Sequence, residues 1–145
     1  MKNMNYNISI QVGASPSEVF RHITDVPKWW GGEDFAGSST QINDEFTIIH
    51  ADTHYSKHRV IELIPDKRLV WLVTESKLSW LQNQQEWTNT KMIFEINPND
   101  KNTEVLFTHE GLVPEKECYE RCTQGWHMVI SERLFNCINT NNNAL

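Results

Sequence analysis

A chain of 145 residues with 39% hydrophobic side chains, 22% charged ones and a net charge of −6 has the size and composition of one globular domain, taken here as residues 1–145. No apolar run approaches the roughly 20 residues that a bilayer-crossing helix needs, residues 1–7 open no signal peptide, and no basic run exceeds the Lys67–Arg68 pair. These features exclude a membrane span, argue against a nucleic-acid partner and predict a cytoplasmic protein. Cys118, Cys122 and Cys137 are expected as reduced thiols, because an odd count without a secretion signal does not make a disulfide framework. Six tryptophans are several times the usual share of about one residue in a hundred, and each buries a large ring.

In chain order, Ile8, Ile10 and Val12 alternate with Ser9 and Gln11, the period of a first strand with one dry face. Ser15, Pro16 and Glu18 spell a capping box with proline at the first helical position, so a short helix runs to about Thr24. Pro27 interrupts it, and Trp29-Trp30-Gly31-Gly32 reads as a second helical turn ending in a loop. From Glu45 to about Phe107 the pattern is an antiparallel meander, with turns at Pro65–Arg68 and Asn97–Asn102. Leu69–Val73 is apolar throughout, as a central strand is, while Met92, Phe94 and Ile96 and then Val105, Phe107 and His109 alternate with polar residues on two further strands. Glu115–Asn139 is free of proline and patterned as one long helix. At 100° per residue, Cys118, Tyr119, Cys122, Trp126, Val129, Ile130, Leu134 and Cys137 share its inward arc, with Arg133 among them. Residues 139–145 are expected to fray.

Several polar groups invite chemistry. Cys118 and Cys122 lie four apart on the helix, a spacing open to a metal or to oxidation; with further ligands unplaced, they are read as core-lining thiols, and no metal is expected. His50, His54 and His58 cluster near a hairpin, but Asp52, Lys57 and Arg59 around them suggest a solvated loop. His109, on an inward face, either contacts a ligand or satisfies a core polar group. Glu62, Glu75, Glu86 and Glu95 are candidate acids without a fixed partner. Arg133 either pairs internally, snorkels to the surface or holds an anionic ligand head.

The order strand, two short helices, meander and long C-terminal helix resembles the helix-grip fold of START-like and birch-pollen-allergen-like proteins, the SRPBCC superfamily. Five blocks carry a closer likeness: FRHITDVPKWW (Phe20–Trp30), KRLVW (Lys67–Trp71), EWTNTKMIFEI (Glu86–Ile96), FTHEGL (Phe107–Leu112) and ECYERCTQGW (Glu117–Trp126). They resemble the AHSA-like branch, homologous to the C-terminal domain of activators of the heat-shock protein 90 ATPase. Asn89 and Asn141 stand where that pattern often has glycine, and Arg133 where it often has a small residue. The resemblance implies an α+β fold with a curved antiparallel sheet wrapped around the long helix, and a cavity between them. A small apolar or amphipathic ligand is expected there, with no cofactor and no assigned reaction. The expected lining is Met92, Phe94, Val105, Phe107, His109, Tyr119, Trp126, Val129, Ile130 and Arg133, with Trp29, Trp30 and Trp71 at the rim or wall. The alternatives are a cyclase- or dehydratase-like enzyme using His109, Arg133 or a glutamate, and a chaperone partner; the separate N-terminal domain of such activators is not among these 145 residues.

Overall fold

The computed structural model of the protein describes residues 4–143. Strand β1 (Tyr6–Val12) is followed by helix α1 (Pro16–Thr24). The capping box forms as expected: Ser15 Oγ accepts the Glu18 N–H at 3.2 Å, and Glu18 Oε1 accepts the Ser15 N–H at 3.2 Å. Two 3-10 turns follow: Val26–Lys28, which contains Pro27, and Gly32–Asp34, after the tryptophan pair. Gly31 joins them with φ +92°, and a Cβ built there would meet Ile48 Cδ1 at 2.6 Å, so glycine is required on both counts.

The remaining strands are β2 (Phe35–Gly37), β3 (Glu45–His50), β4 (His54–Ile64), β5 (Arg68–Leu78), β6 (Lys91–Pro98) and β7 (Thr103–Glu110). All pair antiparallel in one sheet of order β1-β7-β6-β5-β4-β3-β2. The short edge strand β2 is an addition to the expected meander. Register shifts between Lys57 and His58 and between Val60 and Glu62 bend β4, as bulges do. Pairing of β5 with β6 stops at Leu72–Lys91. Beyond it, β5 continues alone with β4, and the returning loop 79–90 bonds back through Val73 N–H to Thr90 O (2.9 Å) and Asn89 N–H to Val73 O (2.8 Å). Asn89 holds φ +72°, the left-handed conformation for which glycine is the usual choice and asparagine the best substitute.

The long helix has three parts: α2 (Tyr119–Met128), a π-helical stretch (Val129–Leu134) and α3 (Phe135–Asn143). It starts later than Glu115, because Glu117 and Cys118 spend their N–H groups on the Glu86 carboxylate, at 2.8 and 3.0 Å. Cys118, Cys122, Trp126, Ile130, Leu134 and Ile138 are all buried along it, strictly four apart, and Val129 is the one further buried residue of the helix among those described. On a straight α-helix each step of four overshoots a turn by about 40°, so five steps would carry the stripe about 200° around the axis. The π turn absorbs an extra residue and keeps Leu134 and Ile138 facing the sheet. The same underwinding turns Arg133 outward, to an exposed position, contrary to the inward placement that a uniform 100° wheel predicts. Of the segment 139–145 expected to fray, α3 includes residues up to Asn143, and Asn139 Oδ1 accepts the Gly13 N–H at 3.1 Å; residues 144 and 145 lie outside the described residues.

Between sheet and helix the space is filled by rings. Trp71 stacks with Trp29 and Trp30 at centroid distances of 6.2 Å each, Phe94 meets Trp71 at 4.9 Å, Phe107 meets Trp126 at 4.5 Å, and Trp126 stacks on Trp87 at 5.9 Å. Five of the six tryptophans thus form one continuous core, and Trp80 stays half-buried outside it.

Candidate functional site

Where β5 and β6 part, the ring-filled interior opens into a cleft of about 440 Å³. Trp30, Trp87 and Trp126 form its base, the loop residue Trp80 and the strand-end residues His50 and His54 its sides, and Arg121, Cys122, Gly125, Met128 and Val129 of the helix its far wall. A second lobe of about 380 Å³ continues past His50 and His54 to Asp34, Ile48 and Arg133. The loop 79–90 is held against the β3–β4 turn by Ser79, whose N–H donates to Thr53 O (3.2 Å) and whose hydroxyl donates to Asp52 O (2.6 Å). Glu117 locks it from the helix side by accepting the N–H groups of Gln82 and Asn83.

The polar groups behind the cleft are ordered by hydrogen bonds. Trp126 Nε1–H donates to His109 Nδ1 at 3.0 Å, so His109 carries its proton on Nε2 and donates it to Thr90 Oγ1 at 2.8 Å, whose own proton goes to Trp87 O at 2.6 Å. Every partner of His109 is internal, so it serves the core as a satisfied polar group. Burial pushes its pKa down to about 3. On β4, His54 Nε2 and His58 Nε2 both bond Ser56 Oγ at 2.8 Å. This corrects the solvated-loop expectation: only His50 is exposed, whereas His54 is half-buried and His58 fully buried between Phe46 and Trp30. Burial, reinforced by His50, lowers His54 to about 4, and burial holds His58 well below the ordinary histidine range. His50 itself bonds Asp34 at 2.9 Å.

Of the residues expected to line a cavity, Trp30, Trp126 and Val129 reach the main lobe and Arg133 the second. Trp71, Met92, Phe94, Val105, Phe107, His109 and Ile130 are fully buried in the packed interior below it, as is Trp29 nearly so, and Tyr119 is half-buried at the start of α2. The physical reason is volume: the aromatic excess fills the grip and leaves the opening at its mouth. The carboxylates expected as acids are engaged structurally or exposed. Glu62 and Glu95 hold Arg68 at 2.7 and 3.3 Å, Glu75 accepts from Tyr55 at 2.8 Å, and Glu86 caps the long helix. Trp80, Trp87 and Gly125 were not among the expected lining.

A seven-stranded antiparallel sheet closed around one long C-terminal helix defines a helix-grip protein of the SRPBCC type. The chain belongs to the family described as activator of Hsp90 ATPase homolog 1-like protein, whose profile matches residues 13–138. Among solved structures it is similar to the Aha1 dimer from Colwellia psychrerythraea (21% identity, 93% of this chain and 96% of that one, TM-score 0.72). It is also similar to protein MLL2253 from Mesorhizobium loti (16% identity, 97% and 99%, TM-score 0.74) and to DynU16, a protein of the dynemicin biosynthetic locus (14% identity, 93% and 47%, TM-score 0.66). No curated protein matches the chain.

Proposed function

We propose that the protein is a binding module for a flat, apolar or amphipathic small molecule, held in the cleft at the mouth of the grip rather than in its interior. The observation that carries this reading is the wall itself: four indoles, Trp30, Trp80, Trp87 and Trp126, around about 440 Å³, a size and lining typical of small-molecule sites. Arg121 lies 4.5 Å above the Trp80 ring and has no carboxylate partner among the described residues, nor does Arg133 across the second lobe. Two such guanidinium groups suit a ligand with an anionic head. Gly125 supports the same reading. It sits in mid-helix, where glycine costs about 1 kcal/mol relative to alanine, yet a Cβ there would meet nothing within 4 Å. Packing gives no reason for it, whereas open space beside Trp126 does.

The test is titration with 2-naphthoate and its neutral counterpart 2-naphthol, followed by tryptophan fluorescence and amide chemical shifts. Apolar burial of ten ring carbons contributes about 8 kcal/mol and a charge-assisted hydrogen bond from an arginine about 2 kcal/mol, so after an immobilisation cost of about 4 kcal/mol the affinity for naphthoate is expected on the order of 0.1 mM. Shifts are expected at Trp80, Gly125 and Val129, with Ser9 and Gln11 unmoved. Arg121→Met or Arg133→Met should weaken naphthoate more than naphthol. Gly125→Leu should fold at least as stably as the parent and lose binding, because the new side chain occupies the cleft. Unchanged shifts at near-millimolar naphthoate, or full binding by Gly125→Leu, overturn the reading.

A further inference from the structure

Three polar groups on β4 are joined in series at the side of the cleft, and the stacking of a flat ligand leaves them unused. Ser56 Oγ lies 2.8 Å from His54 Nε2 and 2.8 Å from His58 Nε2. Ser56 and His58 are fully buried, whereas His54 lines both lobes, its ring set across those of Trp87 and Trp30 at 5.1 and 6.4 Å. Its other nitrogen, Nδ1, takes no hydrogen bond among the described residues and is not sealed in the core, so with Nε2 turned to Ser56 it is the nitrogen that the cleft reaches.

Burial keeps both imidazoles neutral, so each carries one proton, and Ser56 has one proton to give. One histidine must donate to Ser56 and the other accept from it. Their two Nδ1 atoms are then opposite in character, one an N–H and one a lone pair. His58 Nδ1 is buried without a partner among the described residues, and so is the indole N–H of Trp71, whose ring meets His58 at 5.9 Å. A proton on His58 Nδ1 would set two unsatisfied donors in neighbouring rings, whereas a lone pair there costs less. His58 therefore donates from Nε2 to Ser56, Ser56 donates to His54 Nε2, and the proton of His54 sits on Nδ1.

We propose that His54 Nδ1–H is a fixed hydrogen-bond donor in the cleft that selects flat aromatic ligands bearing a carbonyl oxygen, with Ser56 and His58 as the residues that position its proton. This rests on the ligand-binding reading of the same cleft. The rest of the lining agrees with it. No carboxylate, hydroxyl or amide side chain lines the main lobe, and Asp34 in the second lobe bonds His50 at 2.9 Å. A carbonyl oxygen is met there by N–H donors, whereas a phenol is a poorer acceptor and brings a proton for which the main lobe has no oxygen-bearing side chain.

The experiment has two arms, both on the full chain. In the ligand-free protein at neutral pH, long-range proton–nitrogen spectra of the imidazole rings should show a protonated Nδ1 on His54 and a protonated Nε2 on His58; the reverse pattern overturns the proposal whatever binds. In the second arm, 2-acetylnaphthalene with an isotope-labelled carbonyl carbon and 2-naphthol are titrated in parallel. The ratio of their affinities should fall about fivefold in His54→Phe, and the carbonyl carbon should shift downfield on binding to the parent but not to that variant. Ser56→Ala, which lets the His54 proton move to Nε2, should lower the ratio likewise, and Ser56→Thr, which keeps the hydroxyl, should restore it. The His54→Phe comparison stands even where a Ser56 variant does not fold. An unchanged ratio and carbonyl shift in His54→Phe would sink the donor role and leave the cleft as a site without this selectivity. If the ketone, naphthol and naphthoate all leave the cleft residues unmoved, both readings fall together.

Discussion

Acid should unfold this protein through its interior histidines before it protonates most of its carboxylates. His54, His58 and His109 are held neutral by burial, at about 4, well below the ordinary range and at about 3 respectively. Each returns to about 6.5 in the unfolded chain. Because the unfolded state then binds the extra protons, the stabilisation is fully present above pH 6.5 and is lost as the pH falls toward the folded values. A histidine protonated only in the unfolded state contributes a slope of about 1.4 kcal/mol per pH unit, so three contribute about 4 kcal/mol per unit once the pH is well below 6.5. Against a typical total stability of about 5–15 kcal/mol, most of the margin should be gone near pH 5. Urea denaturation midpoints measured from pH 7.5 to 4.5 should fall steeply below pH 6, with about three protons taken up on unfolding at pH 5. In His109→Gln the amide can take the Trp126 N–H and donate to Thr90, and the slope should drop by about 1.4 kcal/mol per unit. A midpoint that stays level from pH 7 to 5 would refute the assignment of three neutral buried imidazoles.

Two further outcomes follow from packing and capping. Trp126→Ala removes a ring 3% exposed and strands His109 Nδ1, so chemical denaturation should register a loss of about 3–5 kcal/mol; a loss below about 1 kcal/mol would mean that the ring is not a core element. Glu86→Ala deprives Glu117 and Cys118 of their acceptor and should cost about 1 kcal/mol, with faster amide exchange confined to the first turn of α2; unchanged exchange there would show that another group caps the helix.

The parts of the fold legible beforehand were those with a local cause. Ser15-Pro-Ser-Glu18 announces α1 through its own hydrogen bonds, and the alternation around Phe94 and Phe107 places two strands with the correct face inward. The site was less legible because its cause is not local. Trp80 and Trp87 lie on a loop without periodicity, and only the early end of β5–β6 pairing turns them into a wall. His54, Ser56, His58 and Val60 do alternate with Tyr55, Lys57 and Arg59; charge on one parity alone was the available sign of an inward face, masked because its members are polar. For Arg133 the sign was the strict four-residue spacing from Cys118 to Ile138, which no straight α-helix keeps on one side.

That spacing also separates two halves of the helix. Trp126, Cys122 and Gly125 before the π turn face the cleft or its base, whereas α3 beyond it rests on α1 and β1. The extra residue at Val129–Leu134 acts as a phase joint: a ring, thiol or glycine of the cleft-facing half can be exchanged while the half that clamps the sheet keeps its register. The shape of the cleft can therefore change within this fold without each step being paired with a compensating change in α3.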